Sequence, residues 1–227
     1  MFPHRRDRGA ASRTLLLLFA GLLAAGAGLY FARHAFAPAT TPDPALKVAA
    51  MKQQLRSVRL ISPPRALPAW TLRLSDGGVA TPATLQGHWT LVFLGFTHCP
   101  DVCPTTLAEL AKSQKAWAPL PAATRPRLLF VTVDPERDTP QIAGDYAHYF
   151  HPDTLAASPT PEQLAGFAHA LGLVYMKVSE PDGSYSMDHS ATLVLLDPQG
   201  RQAGLLSPPL NWQAIADDLR LLAERAP

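Results

Sequence analysis

From Thr14 to Ala32 the chain runs 19 residues without a charge, TLLLLFAGLLAAGAGLYFA, bracketed by Arg13 and Arg33. As a helix this run spans about 28 Å, close to the roughly 30 Å of a bilayer core. It has no polar face, which argues against a helix of a globular domain. It is therefore expected to be a transmembrane anchor. A cleaved signal peptide is the alternative, because Ala35-Phe36-Ala37 has the form of a cleavage site. Against cleavage, a signal's apolar region is usually about 7–15 residues, and Pro38 would follow the cut. Residues 33–68 then read as a stalk punctuated by Pro38, Pro42, Pro44, Pro63, Pro64 and Pro68, with a short amphipathic helix at Ala45–Arg59.

Beyond Ala69 the apolar pattern changes to that of a folded domain. Trp70–Leu74 alternates as a strand does and ends in the turn Ser75-Asp76-Gly77-Gly78. Thr90–Phe96 and Leu128–Val133 are short continuous apolar runs, suited to strands buried on both faces. Thr105–Trp117 reads as a helix. Thr139-Pro140 opens another through Phe150, with threonine as N-cap and proline in the first turn. Thr160 and Gln163 form a capping box for a helix that Gly172 ends. Leu173–Val178 reads as a strand, followed by a turn at Pro181-Asp182-Gly183. Ala191–Leu196 and Arg201–Leu206 form a hairpin across Asp197-Pro198-Gln199-Gly200, and Asn211–Arg225 is a final helix. Residues 69–227 are thus expected to be one α/β domain with a central sheet, parallel in its middle and with a hairpin at one edge.

Charge sharpens the topology. The formal net charge is +2, yet Arg5, Arg6, Arg8 and Arg13 against Asp7 already place +3 in residues 1–13. The cations precede the apolar run, so residues 1–13 are expected to be a cytoplasmic tail, with the domain across a bacterial inner membrane in the periplasm. The domain itself is close to neutral and has no basic stripe, so nucleic-acid binding has no support. The 23 prolines among 227 residues are about twice the usual share, making many connections stiff.

There are two cysteines, which excludes a disulfide-rich scaffold and a four-cysteine metal site. One disulfide, one dithiol or a mixed-ligand metal site remain. Both cysteines lie in Thr97-His98-Cys99-Pro100-Asp101-Val102-Cys103-Pro104, after a buried strand and before a helix. In helical geometry residues four apart share a face, so the two sulfurs can converge on one ion or close a disulfide. A helix N-terminus is expected to lower their pKa values. Soft thiolates select Cu(I), and imidazole commonly completes such a site. Among the eight histidines, His189 between Asp188 and Ser190 is one candidate, with His98 and His169 among the others. Met176 and Met187 offer soft thioethers. The segment Val133–Pro140 should lie beside the cysteine loop, where Asp134 can hydrogen-bond near the site, while Asp138 and Thr139 cap a helix.

At these residues the chain resembles the Sco/SenC family of membrane-tethered copper proteins. The resemblance rests on GFTHCPDVCP (95–104), VDPERDTP (133–140), FHP (150–152) and DHSATLVLLDPQG (188–200). It implies a thioredoxin-like fold, copper held by Cys99, Cys103 and His189, and Asp134 and Asp188 as neighbours of those ligands. It also implies a metallochaperone rather than an enzyme, one that serves the binuclear copper site of cytochrome c oxidase. Partners would be the copper-site subunit of the oxidase, with other periplasmic copper chaperones or thioredoxin-like reductants. The alternative is a membrane-tethered thiol–disulfide oxidoreductase in which Cys99 and Cys103 cycle through a disulfide and His189 is dispensable.

Overall fold

The computed structural model describes residues 8–35 and 44–225, with side chains over 18–33 and 49–225. The chain forms two units, Met1–Pro44 and Ala45–Pro227. The first holds α1 (Arg8–Ala35). Leu18, Phe19, Leu22 and Leu23 of this helix are exposed. Among the described residues no helix is long and apolar enough to cross a membrane. Of the expected span 14–32, the side chains of 14–17 lie outside the described residues, as do tail residues 1–7 and stalk residues 36–43.

The second unit follows α2 (Pro44–Gln54) with β1 (Arg59–Arg65), β2 (Leu72–Arg73), β3 (Val79–Ala80), β4 (Thr90–Gly95) and α3 (Val102–Trp117). Then come β5 (Arg127–Thr132), α4 (Pro140–Phe150), β6 (Leu155–Ala157), α5 (Pro161–Leu171), β7 (Tyr175–Ser179) and β8 (Tyr185–His189). The chain closes with β9 (Leu193–Leu196), β10 (Gln202–Leu206) and α6 (Trp212–Arg225). A six-stranded sheet runs in the order β1-β10-β9-β4-β5-β6, while β2-β3 and β7-β8 form separate two-stranded ribbons.

The continuous apolar runs become the middle of the sheet. Every residue of β4 and β9 is buried. β4 lies parallel to β5 and β5 to β6, whereas β9 runs antiparallel to β4. The capping signals are realised: Thr139 accepts from the Ile142 N–H, the Thr160–Gln163 box is complete, and Gly172 ends α5 at φ 71°, in the left-handed region.

The stalk expected at 33–68 is corrected at its C-terminal end. β1 pairs with β10 as an edge strand of the main sheet. Pro63 and Pro64 made this segment read as a tether, but an edge strand tolerates proline because one side of its ladder is unpaired. Val58 enters the core, with Met51 and Leu55 packed on it. Buried Asp218 of α6 accepts the backbone N–H groups of Arg56 (3.0 Å), Ser57 (2.7 Å) and Val58 (2.9 Å), fixing the entry to β1. α3 starts at Val102, earlier than the expected Thr105, because Pro104 sits in the first turn, where no N–H is needed. Short β6 and polar β8 (YSMDH) carried too little apolar signal to be read as strands.

Candidate metal centre

The parallel pairing of β4 with β5 brings two loops together at one end of the sheet. Gly95 lies opposite Thr132, and the Val133 N–H donates to the Gly95 carbonyl at 2.8 Å. The loop after β4 carries Cys99, and the first turn of α3 carries Cys103. Both positions lie at the carboxyl ends of strands, where α/β sheets place their sites.

The two thiols differ. Cys103 is fully buried, whereas Cys99 is half-buried. The expectation of both cysteines on one helical face is corrected, since α3 contains only Cys103. Cys99 precedes the helix, and its Sγ accepts the Cys103 N–H at 3.3 Å. It thus supplies the N-terminal acceptor that the side chain of Asp101 does not. Cys103 approaches the sheet closely because residue 95 is glycine. A Cβ there would meet Phe130 Cε2 at 2.9 Å, Cys103 Sγ at 3.1 Å and Phe93 Cε1 at 3.2 Å.

His189 ends β8 and brings Nε2 to 3.5 Å from Cys103 Sγ, across 86 residues of sequence. Its Nδ1 lies 3.1 Å from the Ser190 carbonyl oxygen, which can only accept. Nδ1 therefore carries the hydrogen, leaving the Nε2 lone pair facing the sulfur. The ring stands edge-on to Phe93 and Phe96, with centroids 6.2 and 6.1 Å away.

Burial pushes the Cys103 thiol pKa well up, Cys99 and the Asp138 carboxylate adding to the rise while a backbone hydrogen bond at Phe96 opposes it. The expected lowering by the helix N-terminus is corrected at this cysteine, because desolvation outweighs the dipole. Burial lowers the His189 pKa against the opposing pull of the Ser190 hydrogen bond and Asp188, keeping the imidazole neutral near pH 7. The metal-free pocket is thus a protonated thiol facing a neutral imidazole, and a soft cation entering it displaces a proton.

Asp188 is exposed beside His189. Asp134 is buried, pairs with Arg137 and accepts from the Tyr185 hydroxyl at 3.0 Å. Asp138 is the carboxylate that reaches the cysteine loop. It accepts from the Thr97 N–H (2.9 Å), the Thr97 hydroxyl (2.5 Å) and the Thr132 hydroxyl (2.5 Å). The expectation that Asp138 caps a helix beside Thr139 is corrected: Thr139 accepts from the Ile142 N–H at the start of α4, while the Asp138 carboxylate is taken up by Thr97 and Thr132, a role not visible in sequence. Other histidines have local partners: His88 the Arg125 carbonyl, His148 the Thr154 carbonyl and His151 the Asp153 N–H. Met187 is buried in the core, and Met176 is exposed.

Among the described residues, His98, Asp134 and Asp138 form a set of three whose donor atoms all lie within 4.8 Å of one another. Their oxygens are already committed to the hydrogen bonds above, and His98 sits beside Asp138 at 3.7 Å. Cys103 and His189 are brought together as a pair with Cys99 adjoining, rather than as a converged triad. Two sulfurs and an unprotonated imidazole nitrogen nonetheless make a soft donor set that fits Cu(I).

The sequence profile of the SCO1/SenC family matches residues 60–224. A protein of Stutzerimonas stutzeri named as copper-binding is 37% identical over 178 residues, covering 78% of this chain and 85% of that protein. The mitochondrial SCO1 homolog 1 of Arabidopsis thaliana is 37% identical over 136 residues, 57% of this chain and 39% of its own length. The chain therefore spans well under half of that relative. Among solved structures, copper-bound ScoI of Arabidopsis thaliana superposes with a TM-score of 0.64 at 30% identity, covering 70% of this chain and 99% of that one. Copper-bound ScoI of Bradyrhizobium japonicum gives 0.63 at 34% identity, covering 69% and 98%. The mixed α/β fold is that of the Sco structures, and the chain belongs to the SCO1/SenC family.

Proposed function

We propose that this chain is a copper chaperone whose ligands are Cys99, Cys103 and His189. Copper is its cargo rather than a resident cofactor. The observation that carries the reading is His189 Nε2 at 3.5 Å from Cys103 Sγ, with the Cys99 sulfur at the start of the same helix. Two thiolates and one imidazole leave a Cu(I) ion open to an incoming thiol or imidazole, so release can proceed by ligand exchange. The acceptor we propose is the binuclear copper site of cytochrome c oxidase. The apolar segment 14–32 would act as a single-pass anchor in a bacterial inner membrane, holding residues 45–227 in the periplasm.

Anaerobic titration of the reduced chain with Cu(I) tests the ligand set. We expect one ion per chain, loss of binding in Cys99→Ser and Cys103→Ser, and affinity lowered about 100-fold in His189→Ala. Unchanged affinity in His189→Ala overturns the assignment. The second reading, a thiol–disulfide oxidoreductase, is favoured by the free and adjacent state of the two cysteines. Reductase activity that survives both chelation and loss of His189 would select it.

A further inference from the structure

His189 reaches the cysteines from a ribbon that is not part of the main sheet. Among the described residues β7 and β8 pair only with each other, and no ladder joins them to the six-stranded sheet. A two-stranded ribbon is marginal alone, so the position of His189 depends on what pins this one to the body.

Side chains of β8 alternate, and every second residue turns inward. Tyr185, Met187 and His189 share one face. Met187 enters the core, while Asp188 on the other face is exposed. Tyr185, at the far end from His189, lies in a polar clamp. Its hydroxyl donates to buried Asp134 at 3.0 Å. The Arg137 guanidinium lies 3.8 Å from its ring centroid and the Lys177 ammonium 3.9 Å. Arg137 also donates to the Tyr185 carbonyl at 3.1 Å and pairs with Asp134, while Lys177 pairs with Glu136. Asp134, Glu136 and Arg137 all belong to the loop after β5, which is hydrogen-bonded to the strand end that precedes the cysteines. The third guanidinium nitrogen of Arg137, Nη2, is buried and has no hydrogen-bond partner among the described residues, so the group is held there by the bonds of Nε and Nη1.

We infer that Tyr185 is a positioning residue: clamped between Arg137 and Lys177 and bonded to Asp134, it fixes the register of β8 over the body and thereby the reach of His189 to Cys103. The inference rests on the proposed ligand set. Without the clamp, only a fraction of molecules would present His189 at the site, and apparent affinity falls by that fraction.

The test uses the full chain in detergent, reduced and anaerobic, with Cu(I) affinity measured by competition with a chromophoric chelator. Tyr185→Ala should weaken binding about tenfold, and Tyr185→Phe, which keeps the ring between the cations, about threefold. In a His189→Ala background Tyr185→Ala should have no further effect, because the clamp acts through the histidine. Amide exchange of Met187–His189 in the metal-free chain should quicken in Tyr185→Ala, with β4 and β5 unchanged. Wild-type affinity in Tyr185→Ala, or an equal loss with and without His189, overturns the clamp, as does unchanged exchange at 187–189. If His189→Ala alone leaves affinity unchanged, the ligand assignment fails instead, and the exchange result still decides whether Tyr185 holds the ribbon.

Discussion

Gly95→Ala is the most exacting probe of the packing around Cys103. The new Cβ would stand 2.9 Å from Phe130 Cε2, 3.1 Å from Cys103 Sγ and 3.2 Å from Phe93 Cε1. All three neighbours are fully buried, so none can swing aside into solvent. Overpacking of this kind costs about 1–3 kcal/mol. Replacing a strand glycine returns roughly 0.5–1 kcal/mol of chain entropy. The net expectation is a loss of about 0–2.5 kcal/mol, centred on about 1 kcal/mol and read there as a fall of roughly 2–4 °C in Tm for a domain of this size. Because one of the crowded atoms is a proposed ligand, Cu(I) affinity should fall as well, by threefold or more. Gly204→Ala is the control: its Cβ would meet Val58 Cγ1 at 3.1 Å and the Arg59 carbonyl at 3.2 Å, far along the sheet from the cysteines. It should destabilise similarly while leaving affinity intact. Thermal melts of the metal-free chains and chelator competition give both numbers. If Gly95→Ala melts and binds as wild type does, the close approach of Cys103 to β4 is not what residue 95 provides.

Other outcomes follow from the same geometry. With the proposed ligand set, loading Cu(I) would release the proton of Cys103, whose pKa is raised, whereas His189 is already neutral near pH 7. Affinity should therefore rise about tenfold per pH unit for each thiol proton displaced, and a flat profile between pH 6 and 8 would contradict this. In the metal-free chain the folded state holds the Cys103 proton more tightly than the unfolded state, whose thiol titrates near 9.0. Cys103 should thus contribute no pH dependence below that pH and a fall of about 1.4 kcal/mol per pH unit above it, a component that Cys103→Ala should remove from urea titrations up to about pH 10, where buried Tyr146 begins to add its own. Asp138→Ala leaves the Thr97 N–H and the hydroxyls of Thr97 and Thr132 without their acceptor. It should cost about 3 kcal/mol, and a loss below 1 kcal/mol would show that the network does not hold the cysteine loop. A fragment starting at Ala69 lacks β1 and the partners of Asp218, so it should melt well below one starting at Ala45.

The reading from sequence succeeded where a signal was local and strong. Buried β4, β5 and β9 announced themselves as apolar runs, and the caps at Thr139, Thr160 and Gly172 followed from backbone chemistry. It failed where a partner distant in the chain decides the structure. Residues 56–65 look like a tether until Asp218 and β10 pair with them. β8 has one core residue, Met187, so its strand character comes from β7 and from the Tyr185 clamp. The helix dipole suggested an acidified thiol, yet the burial of Cys103, which sequence does not report, outweighs it. The pairing of His189 with Cys103 was reached only through resemblance, because 86 residues separate them.

The unequal burial of the two cysteines would also set an order of events in the second reading, where they cycle through a disulfide. A thiolate attacking a disulfide of this pair could reach only the half-exposed Cys99 sulfur, since Cys103 is sealed beneath it. Cys103 would then have to depart as the leaving thiolate, and a thiol whose pKa burial has raised is a slow leaving group. Small thiols would reduce such a disulfide sluggishly. An efficient reductant would be one that docks over the pocket and stabilises the departing sulfur. The same wall of packing that shapes the soft donor set would then act as a kinetic filter on which molecules can reset it.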